Sequence, residues 1–397
     1  MGVHGSAIGW RTTIMTYSFS QQGEIYPPMR IFHLVPNLNY GGLQKVVQLL
    51  CVRQIEAGHS VSIGCWTYKC NHPEAEAELE ALGARVVYLR RGADGGLSHG
   101  RRAALNKLKG LLRGKADILH IHNPFGYLIY GALAAYLVRS TKTVITVHAT
   151  VMFDNPRFGR KGRAQFWLAA MLAHGVVSVC AEVKTFLRGH FLLPARKMFV
   201  VDNGIDLIPF LSVPDRVPRG EIVFGTVGRM SREKGHGVLI NAFALLRQKH
   251  GNVRLRLLGG GGLEDTLKEQ ALRLGLGDSV EFCGFSNDVA GFLGSLDVYV
   301  LPSHSEALPL GLMEAIASGV PAVATAVGGV PTILEKTRGG WLCEPGNPAA
   351  MAEAMERAIS AAGGGEMGRN ARQLAGELYS DARMAADYEA LYGRLLH

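Results

Sequence analysis

Two glutamates in the segment 303–319 (SHSEALPLGLMEAIASG) carry the clearest chemical signal in the chain. An apolar run predicts a strand at 298–302, and Pro309 suits the first turn of a following helix. Glu306 then lies in the loop and Glu314 in the helix, with seven residues between them. Free amides at a helix start attract anions, and a carboxylate in the same place would repel a phosphate. We therefore expect both carboxylates to accept hydrogen bonds from hydroxyls, Glu314 from the two hydroxyls of a ribose. The alternative is two ordinary acids favoured by the helix dipole.

Two cations follow another predicted strand, in the segment 226–237 (TVGRMSREKGHG). Arg229 offers a flat guanidinium fork and Lys234 a point charge, and together they suit a diphosphate. No GxxxxGK[ST] pattern occurs in the chain, so this loop is not a P-loop. The alternative is a solvated basic loop.

Glycine-rich turns follow two predicted strands. Gly41 and Gly42 come after strand 30–36 and open a helix, where glycine lets the backbone approach a phosphate or sugar. Four glycines, 259–262, follow strand 253–259. They do not spell GxGxxG, and their strand is not the first of its domain, which counts against a nicotinamide site.

Histidines end two further strands. His148 closes the run VITVHA, where an imidazole could donate a hydrogen bond to a sugar hydroxyl or orient a reacting group. The alternative is a structural histidine. We expect His120 and His122 to point to opposite faces of strand 118–123, and therefore not to act as paired ligands. No DxD occurs in the chain, and no metal site is predicted.

The elements that must position these residues alternate along the chain, strand after helix, which predicts parallel sheets covered on both faces. Strands are predicted at 30–36, 59–67, 85–90, 118–123, 142–149, 175–181, 197–202, 221–228, 253–259, 279–284, 298–302 and 321–327. The fold class is α/β, with two tandem doubly wound Rossmann-like domains facing an inter-domain cleft. We predict a disordered leader at 1–28, a front domain at 29–205, a rear domain at 206–378, and a terminal helix at 379–397 that packs back toward the front domain.

Composition limits the class of protein. Hydrophobic residues make up 48% and charged residues 19%, which excludes a disordered chain. Six scattered cysteines with no CxxC pair indicate buried thiols in a reducing compartment. No secretory signal is recognised, and the longest apolar stretch, 166–181, predicts a helix and a buried strand instead of a membrane span. We expect a cytoplasmic protein, soluble or peripheral on the inner face of the membrane.

Charge is unevenly distributed along the chain. Residues 1–205 hold 24 Lys/Arg and 11 Asp/Glu (+13), and residues 206–397 hold 18 and 22 (−4), which together give +9. The segment 101–113 predicts a helix with leucines on one side and cations around the rest, which could attract anionic lipid or a phosphorylated acceptor. The alternative is that the leucines pack on the sheet and the cations are solvated. Nucleic acid is not expected, because the basic segments lack interleaved aromatics.

With these residues in place, the chain resembles the retaining two-domain glycosyltransferases of the GT-B type, family 4, over about residues 30–375. The resemblance rests on the Gly-Gly turn at 41–42, the strand-end His148, the Asn203-Gly204 turn in VDNGID, the loop GRMSREKG, the segment VEFCGF, and SHSEALPLGLMEA. Its most specific part is the Glu-x7-Glu pair followed by ASGVPAVATAVGGVP.

The resemblance implies transfer of a sugar from a nucleotide-sugar donor to an acceptor hydroxyl, with retention and without a metal or cofactor. UDP-glucose or UDP-N-acetylglucosamine is expected ahead of GDP-mannose, with a glycan, a lipid-linked oligosaccharide or a small molecule as acceptor. Catalytic roles are implied for Glu306 at the donor sugar, His148 near the reacting carbon, and Arg229 and Lys234 at the diphosphate. Donor-binding roles are implied for Gly41, Gly42, Asn203, Gly228, Gly259, Gly260, Cys283, Gly284, Phe285, Leu308, Pro309, Leu310, Gly311 and Glu314.

Three positions depart from the family pattern, and two other functions remain open. Ala307 stands where glycine is common, Ala149 follows His148 where aspartate is frequent, and Thr332 replaces a common glutamate. The missing aspartate leaves the orienting partner of His148 undefined. A sugar-nucleotide 2-epimerase shares the architecture but needs no acceptor, and a non-catalytic nucleotide-sugar-binding protein is the other alternative.

Overall fold

The computed structural model describes residues 26–39, 41–67, 73–90, 100–123, 126–150, 153, 158–214, 220–360 and 365–397. Most of the leader predicted at 1–28 lies outside these residues. Within them the chain forms two parallel sheets, each wrapped by helices on both faces.

The front sheet contains seven strands among the described residues: β1 (Arg30–Val35), β2 (Ser60–Cys65), β3 (Arg85–Tyr88), β4 (Ile118–His122), β5 (Lys142–Val147), β6 (Gly175–Ser178) and β7 (Met198–Val200). Their order is β3-β2-β1-β4-β5-β6-β7. The intervening helices are α1 (Gly42–Glu56), α2 (Pro73–Ala81), α3 (Arg101–Leu112), α4 (Leu128–Val138), α5 (Gly159–Leu172) and α6 (Ala181–Phe191). All five residues of β4 are buried, as expected for a central strand of a parallel sheet, although two of them are histidines.

The rear sheet contains β8 (Ile222–Val227), β9 (Val253–Leu258), β10 (Val280–Phe282), β11 (Val298–Leu301), β12 (Ala322–Thr325) and β13 (Gly340–Cys343), in the order β10-β9-β8-β11-β12-β13. Its helices are α8 (His236–Lys249), α9 (Glu264–Arg273), α10 (Val289–Gly294), α11 (Leu310–Ala317), α12 (Val330–Thr337), α13 (Pro348–Ile359) and α14 (Gly365–Leu378). The predicted doubly wound topology is confirmed in both sheets. Strand β13 was not predicted.

The chain crosses between the two sheets twice, and the crossings are hydrogen-bonded to each other. The first crossing contains the short helix α7 (Ile208–Leu211). Ile205 N donates to Tyr379 O at 2.8 Å, and Asp381 N donates to Ile205 O at 3.0 Å. After the second crossing, α15 (Asp381–Leu396) returns to the front sheet and buries Tyr388 and Tyr392 against it.

The carboxyl ends of the two sheets face each other. Cys180, which follows β6, has its Sγ 3.5 Å from the carbonyl oxygen of Ala307, which follows β11. Lys45 in the first turn of α1 contacts Glu314 of α11. One buried hydrophobic cluster also includes residues from both sheets. The residues that follow the strands therefore meet at one inter-domain cleft.

Several smaller predictions have outcomes in this fold. The stretch 166–181 contains the end of α5 and all of β6, as predicted. Five cysteines lie among the described residues; all five are free thiols, and Cys283 alone of them is partly exposed. Leu108 and Leu112 of α3 are buried, so this helix packs on the core through its leucines. Across the described residues, no helix combines the length and apolarity needed to cross a membrane.

Candidate active site

Glu306 lies in the loop after β11 and is held by two donors. Lys234 Nζ approaches its Oε1 at 2.6 Å, and Ser303 Oγ donates to the same oxygen at 2.7 Å. The side chains are 9% exposed for Glu306 and 29% for Lys234. Lys234 ends a 3₁₀ turn at Arg232–Lys234, and Glu233 O accepts from His304 N at 2.8 Å. Two of the four predicted catalytic residues, Glu306 and Lys234, are therefore in direct contact as an ion pair.

The Glu306 loop rests on the turn that begins the segment GGVP. Gly328 has φ of 49°, and a Cβ there would lie 1.9 Å from Glu306 O. Gly329 N donates to Ala307 O at 2.7 Å. Glycine is required at 328 both by the left-handed backbone and by the close approach. This contact gives a physical reason why the glycine pair accompanies the two glutamates in the sequence.

Glu314 lies within α11, as predicted, and its side chain is 5% exposed. Its Oε1 pairs with Lys45 Nζ at 2.5 Å, which joins the two domains. Lys45 was missed by sequence reasoning. A signal existed, because a cation in the first turn of a helix opposes the helix dipole and needs a compensating partner.

Arg229 is the most exposed of the predicted catalytic residues. Its side chain is 74% exposed, and its Nη2 lies 3.4 Å from Glu233 Oε1. The same Glu233 oxygen accepts from Ser231 Oγ at 2.6 Å. Arg229 thus follows β8 as predicted, but its guanidinium pairs with Glu233 of the Lys234 turn and not with Glu306.

The predicted glycines of the rear domain collect where three neighbouring strands end. Gly259 N donates to Gly284 O at 2.7 Å, Gly228 N donates to Leu258 O at 2.9 Å, and Met230 N donates to Gly260 O at 2.9 Å. A Cβ on Gly259 would lie 2.1 Å from Gly228 O. These glycines let β8, β9 and β10 end close together, which leaves a surface of backbone atoms there.

Next to this surface lies the segment 283–285, to which the family resemblance assigns a donor-binding role through its backbone. Phe285 is 66% exposed. Cys283 is partly buried, and burial raises the pKa of its thiol, which keeps it neutral at pH 7.

The amino end of α11 brings together the remaining loop residues. Pro309 precedes the helix as its cap residue, one position before the predicted first turn. Leu310 Cδ1 would lie 3.7 Å from a Cβ on Gly42, so the Gly41-Gly42 turn faces this helix end. Gly311 packs on the Tyr299 hydroxyl, and Leu308 is buried.

Asn203 lies in a different setting. It is buried, and the next residue, Gly204, packs on the start of α15, where a Cβ would lie 2.5 Å from Ser380 O. Gly204 N also contacts Met384 Sδ at 3.2 Å. The contacts of the Asn203-Gly204 turn are those of the inter-domain crossing.

The expectation that His120 and His122 point to opposite faces of β4 is wrong. Residues two apart in a strand share a face, and the two ring centroids are 3.9 Å apart. His33 of β1 is in register with His120, and His122 Nδ1 lies 3.1 Å from His148 Nε2. These four residues, His33, His120, His122 and His148, are called the histidine cluster below. Nitrogens of the first three lie within 4.8 Å of one another, a spacing that a metal ion could use.

Burial keeps the histidine cluster neutral. It lowers the pKa of His33 to about 4 and that of His148 to about 3. The pKa values of His120 and His122 are also lowered well below the usual range, first by burial and then by neighbouring histidines. Neutral imidazoles each offer one donor and one acceptor, which suits hydrogen bonding to uncharged hydroxyls.

The site as a whole can bind a ligand that carries hydroxyls beside negative charge. One edge of the rear sheet carries the carboxylates that suit hydroxyls (Glu306, Glu314), the cations that suit phosphate (Lys234, Arg229) and the free amides of α11.

Two family sequence models match the chain. The one described as Glycosyltransferase Family 4 matches residues 40–208, and the one described as Glycosyl transferases group 1 matches residues 211–374. The chain belongs to glycosyltransferase family 4.

Relatives of this family 4 glycosyltransferase include biosynthetic enzymes. The N-acetyl-alpha-D-glucosaminyl L-malate synthase of Bacillus anthracis is 27% identical over 302 residues, which cover 70% of this chain and 75% of that protein. The amylovoran biosynthesis glycosyltransferase AmsK of Erwinia amylovora is 32% identical over 265 residues, or 61% of each chain. The match therefore spans less than two thirds of AmsK.

Solved structures confirm the GT-B fold. Anabaena Alr3699/HepE in complex with UDP aligns with a TM-score of 0.77 at 20% identity, over 91% of this chain and 99% of that chain. Sucrose-phosphate synthase from Thermosynechococcus elongatus aligns with a TM-score of 0.75 at 21% identity, over 92% and 99% of the two chains. At these identities the similarity concerns the fold.

Proposed function

We propose that this glycosyltransferase moves a hexose from a UDP-sugar to an acceptor hydroxyl, with retention at the anomeric carbon and without a metal ion. The observation that carries the proposal is the 2.6 Å contact between Lys234 and Glu306. A hydroxyl-binding carboxylate and a phosphate-binding ammonium are adjacent, as the junction between a sugar and its phosphate requires.

The rest of the donor follows from this junction. Glu314 holds the ribose hydroxyls, and the amides of α11 and the Arg229 guanidinium face the diphosphate. The Gly259–Gly284 surface and Phe285 receive the base. UDP is favoured as the nucleotide because HepE has been crystallised with UDP and UDP-glucose.

The chemical step is loss of a diphosphate. Lys234, Arg229 and the helix amides stabilise the negative charge that develops on the leaving group. The acceptor hydroxyl attacks the anomeric carbon from the face that the diphosphate leaves, and its proton passes to the departing phosphate. No side chain is needed as a nucleophile.

The acceptor is proposed to be a sugar or a lipid-linked sugar, with the enzyme at the cytoplasmic face of a membrane. AmsK is named for amylovoran biosynthesis. The excess of cations in residues 1–205 favours an anionic acceptor or an anionic surface.

A donor panel tests the proposal. UDP-glucose, UDP-N-acetylglucosamine and GDP-mannose are each incubated with the enzyme, with and without an acceptor mixture and with a chelator present. Acceptor-dependent release of UDP is expected, and the anomeric configuration of the product is read by NMR. An isomerised donor without acceptor would establish the 2-epimerase alternative. Binding without turnover in every arm would establish a binding protein.

A further inference from the structure

Part of the histidine cluster forms one hydrogen-bonded chain that ends at His148. Gln54 Oε1 lies 2.7 Å from His33 Nε2, and His33 Nδ1 lies 2.9 Å from His122 Nε2. His122 Nδ1 then lies 3.1 Å from His148 Nε2. The remaining nitrogen, His148 Nδ1, is buried and has no hydrogen-bond partner among the described residues.

Such a chain has one direction from end to end. A neutral imidazole carries one proton, so a ring that donates from one nitrogen must accept at the other. Gln54 presents its amide oxygen, which accepts from His33 Nε2–H. His33 Nδ1 then accepts from His122 Nε2–H, and His122 Nδ1 accepts from His148 Nε2–H. His148 Nδ1 is left with a free lone pair.

We propose that Gln54, His33 and His122 are positioning residues for His148. They hold its ring and its tautomer so that Nδ1 accepts a hydrogen bond from a hydroxyl of the bound sugar. The inference rests on the proposed function for the identity of that hydroxyl. His122 would thus be the orienting partner of His148. Ala149, with its methyl side chain, cannot take that role.

The position of His148 supports this role. It is the first residue after β5, at the carboxyl edge of the front sheet that faces the rear domain. Its backbone N donates to Asn123 Oδ1 at 2.9 Å, which fixes the main chain while His122 fixes the ring. Gln54 reaches the site from α1, a helix whose opening Gly41-Gly42 turn also faces the cleft.

His120 provides a matched control inside the same cluster. Its ring packs against His122, but its two nitrogens bind Thr146 Oγ1 at 2.6 Å and the Tyr392 hydroxyl at 2.7 Å. It therefore shares the packing and burial of the chain without belonging to it. A role that depends on packing alone would be sensitive to His120, and a role that depends on the chain would not.

A metal ion is the competing use of the same atoms. His33, His120 and His122 would each have to offer one unprotonated ring nitrogen as a ligand. Both nitrogens of His33 and of His122 are already taken by hydrogen bonds within the chain. Metal content of the purified enzyme separates the two arrangements.

The experiment combines spectroscopy with kinetics on the full chain. The wild-type enzyme is labelled with ¹⁵N-histidine, His148 is assigned with the variant His148→Gln, and ring nitrogen shifts report its tautomer. Kinetics compare Gln54→Leu, Gln54→Glu and His120→Leu. Gln54→Leu removes the terminal acceptor, Gln54→Glu keeps an acceptor oxygen, and His120→Leu is the control.

We expect His148 to carry its proton on Nε2 in the wild type and to become a mixture of tautomers in Gln54→Leu. Loss of one orienting hydrogen bond should lower kcat about five- to tenfold, with UDP affinity unchanged and most of kcat restored in Gln54→Glu. His120→Leu should keep the wild-type kcat.

Three results would overturn the proposal: a proton on His148 Nδ1 in the wild type, an equal loss of kcat in His120→Leu, or one equivalent of bound metal. The tautomer is measured without a donor or acceptor. A failure of the proposed reaction would therefore leave this part of the test intact.

Discussion

Lys234 and Arg229 should both stabilise the leaving diphosphate, although their surroundings differ. Substituting either by alanine should lower kcat/KM by an amount equivalent to about 2–4 kcal/mol, since each removes a charged partner from the departing group. Lys234→Ala should also lower thermal stability, because it leaves the Glu306 carboxylate, 9% exposed, without its cation. Arg229 is largely exposed and should not have this second effect.

Steady-state kinetics and thermal melting check this prediction. Arg232→Ala is the control, because Arg232 is an exposed cation in the same turn. Near-normal turnover in either Arg229→Ala or Lys234→Ala would show that this residue does not stabilise the leaving diphosphate.

The two glutamates should fail in different ways. Glu314→Ala should weaken binding of free UDP, because its carboxylate is assigned to the ribose. Glu306→Ala should leave UDP affinity nearly unchanged and lower turnover, because its partner is the donor sugar. Calorimetric titration with UDP and initial rates with the full donor distinguish the two effects. Equal losses of UDP affinity would show that the division of roles is wrong.

At the residue scale, sequence could identify these groups but not their partners. Glu306 and Lys234 are 72 residues apart in sequence, and Glu314 and Lys45 are 269 apart. Such pairs depend on which loops the sheet order brings together and on how the domains dock. The histidine chain depends on the register of β1 with β4, which no local pattern specifies.

At the scale of elements, the turn before α12 should control the Glu306 loop. Gly328→Ala places a methyl 1.9 Å from Glu306 O and strains a backbone at φ 49°. The strained backbone should lower the free energy of unfolding by about 1–3 kcal/mol. Because the Glu306 loop must also move, kcat/KM should fall at least tenfold. Gly275→Ala is the control, since Gly275 has φ 66° and open space around it. Gly275→Ala should lower thermal stability and leave kcat/KM unchanged. A wild-type kcat/KM in Gly328→Ala would show that this turn does not control the Glu306 loop.

Among the described residues, twelve of the thirteen strands could be predicted from sequence, including three of the four edge strands. All twelve predicted strands occur, because short runs rich in apolar and β-branched residues, separated by helical patterns, identify them. Strand β13 has the sequence GWLC, which contains no β-branched residue, and its Leu342 is exposed, so no such run marks it. Its place is set by pairing with β12, from Ala322–Gly340 to Thr325–Cys343.

The histidine cluster should make the fold sensitive to acid. Burial lowers the pKa of His33 to about 4 and that of His148 to about 3 in the folded state, while an unfolded histidine titrates near 6.5. Between these values the unfolded chain binds more protons, so the free energy of unfolding should fall as pH drops from about 6.5 toward 4. Each histidine contributes up to about 1.4 kcal/mol per pH unit. The stabilising effect is complete above about pH 6.5.

Urea denaturation at pH 7.5, 6 and 5 measures this slope. His120→Gln should reduce it by about one proton relative to the wild type, because one buried titratable ring is removed. A free energy of unfolding that is unchanged between pH 7 and pH 5 would contradict the prediction.

At the scale of the whole molecule, one layer of the front domain combines cations with exposed apolar side chains. Helices α3, α4 and α5 pack side by side. Arg101 and Arg102 of α3 are exposed, and α5 exposes Trp167 and Leu168, each 46% accessible. The α3 leucines that sequence offered for membrane contact are instead turned toward the core. Attraction to a membrane would thus come from α3 cations and insertion from α5, where a tryptophan suits the interface.

We expect the enzyme to sediment with anionic vesicles at low salt and to be released at high salt, since surface charges are screened. Each cation near the surface contributes about 1 kcal/mol, so the double variant R101E/R102E should bind at least about 30-fold more weakly. K268E/R273E, on α9 of the rear domain, changes the net charge equally and should bind like the wild type. Trp167→Ala should weaken binding at both salt concentrations, because its contribution is burial of apolar surface.

Equal recovery in the supernatant with neutral and anionic vesicles at low salt would contradict membrane contact and favour a soluble acceptor. An equal loss in the α9 variant would instead assign the attraction to net charge.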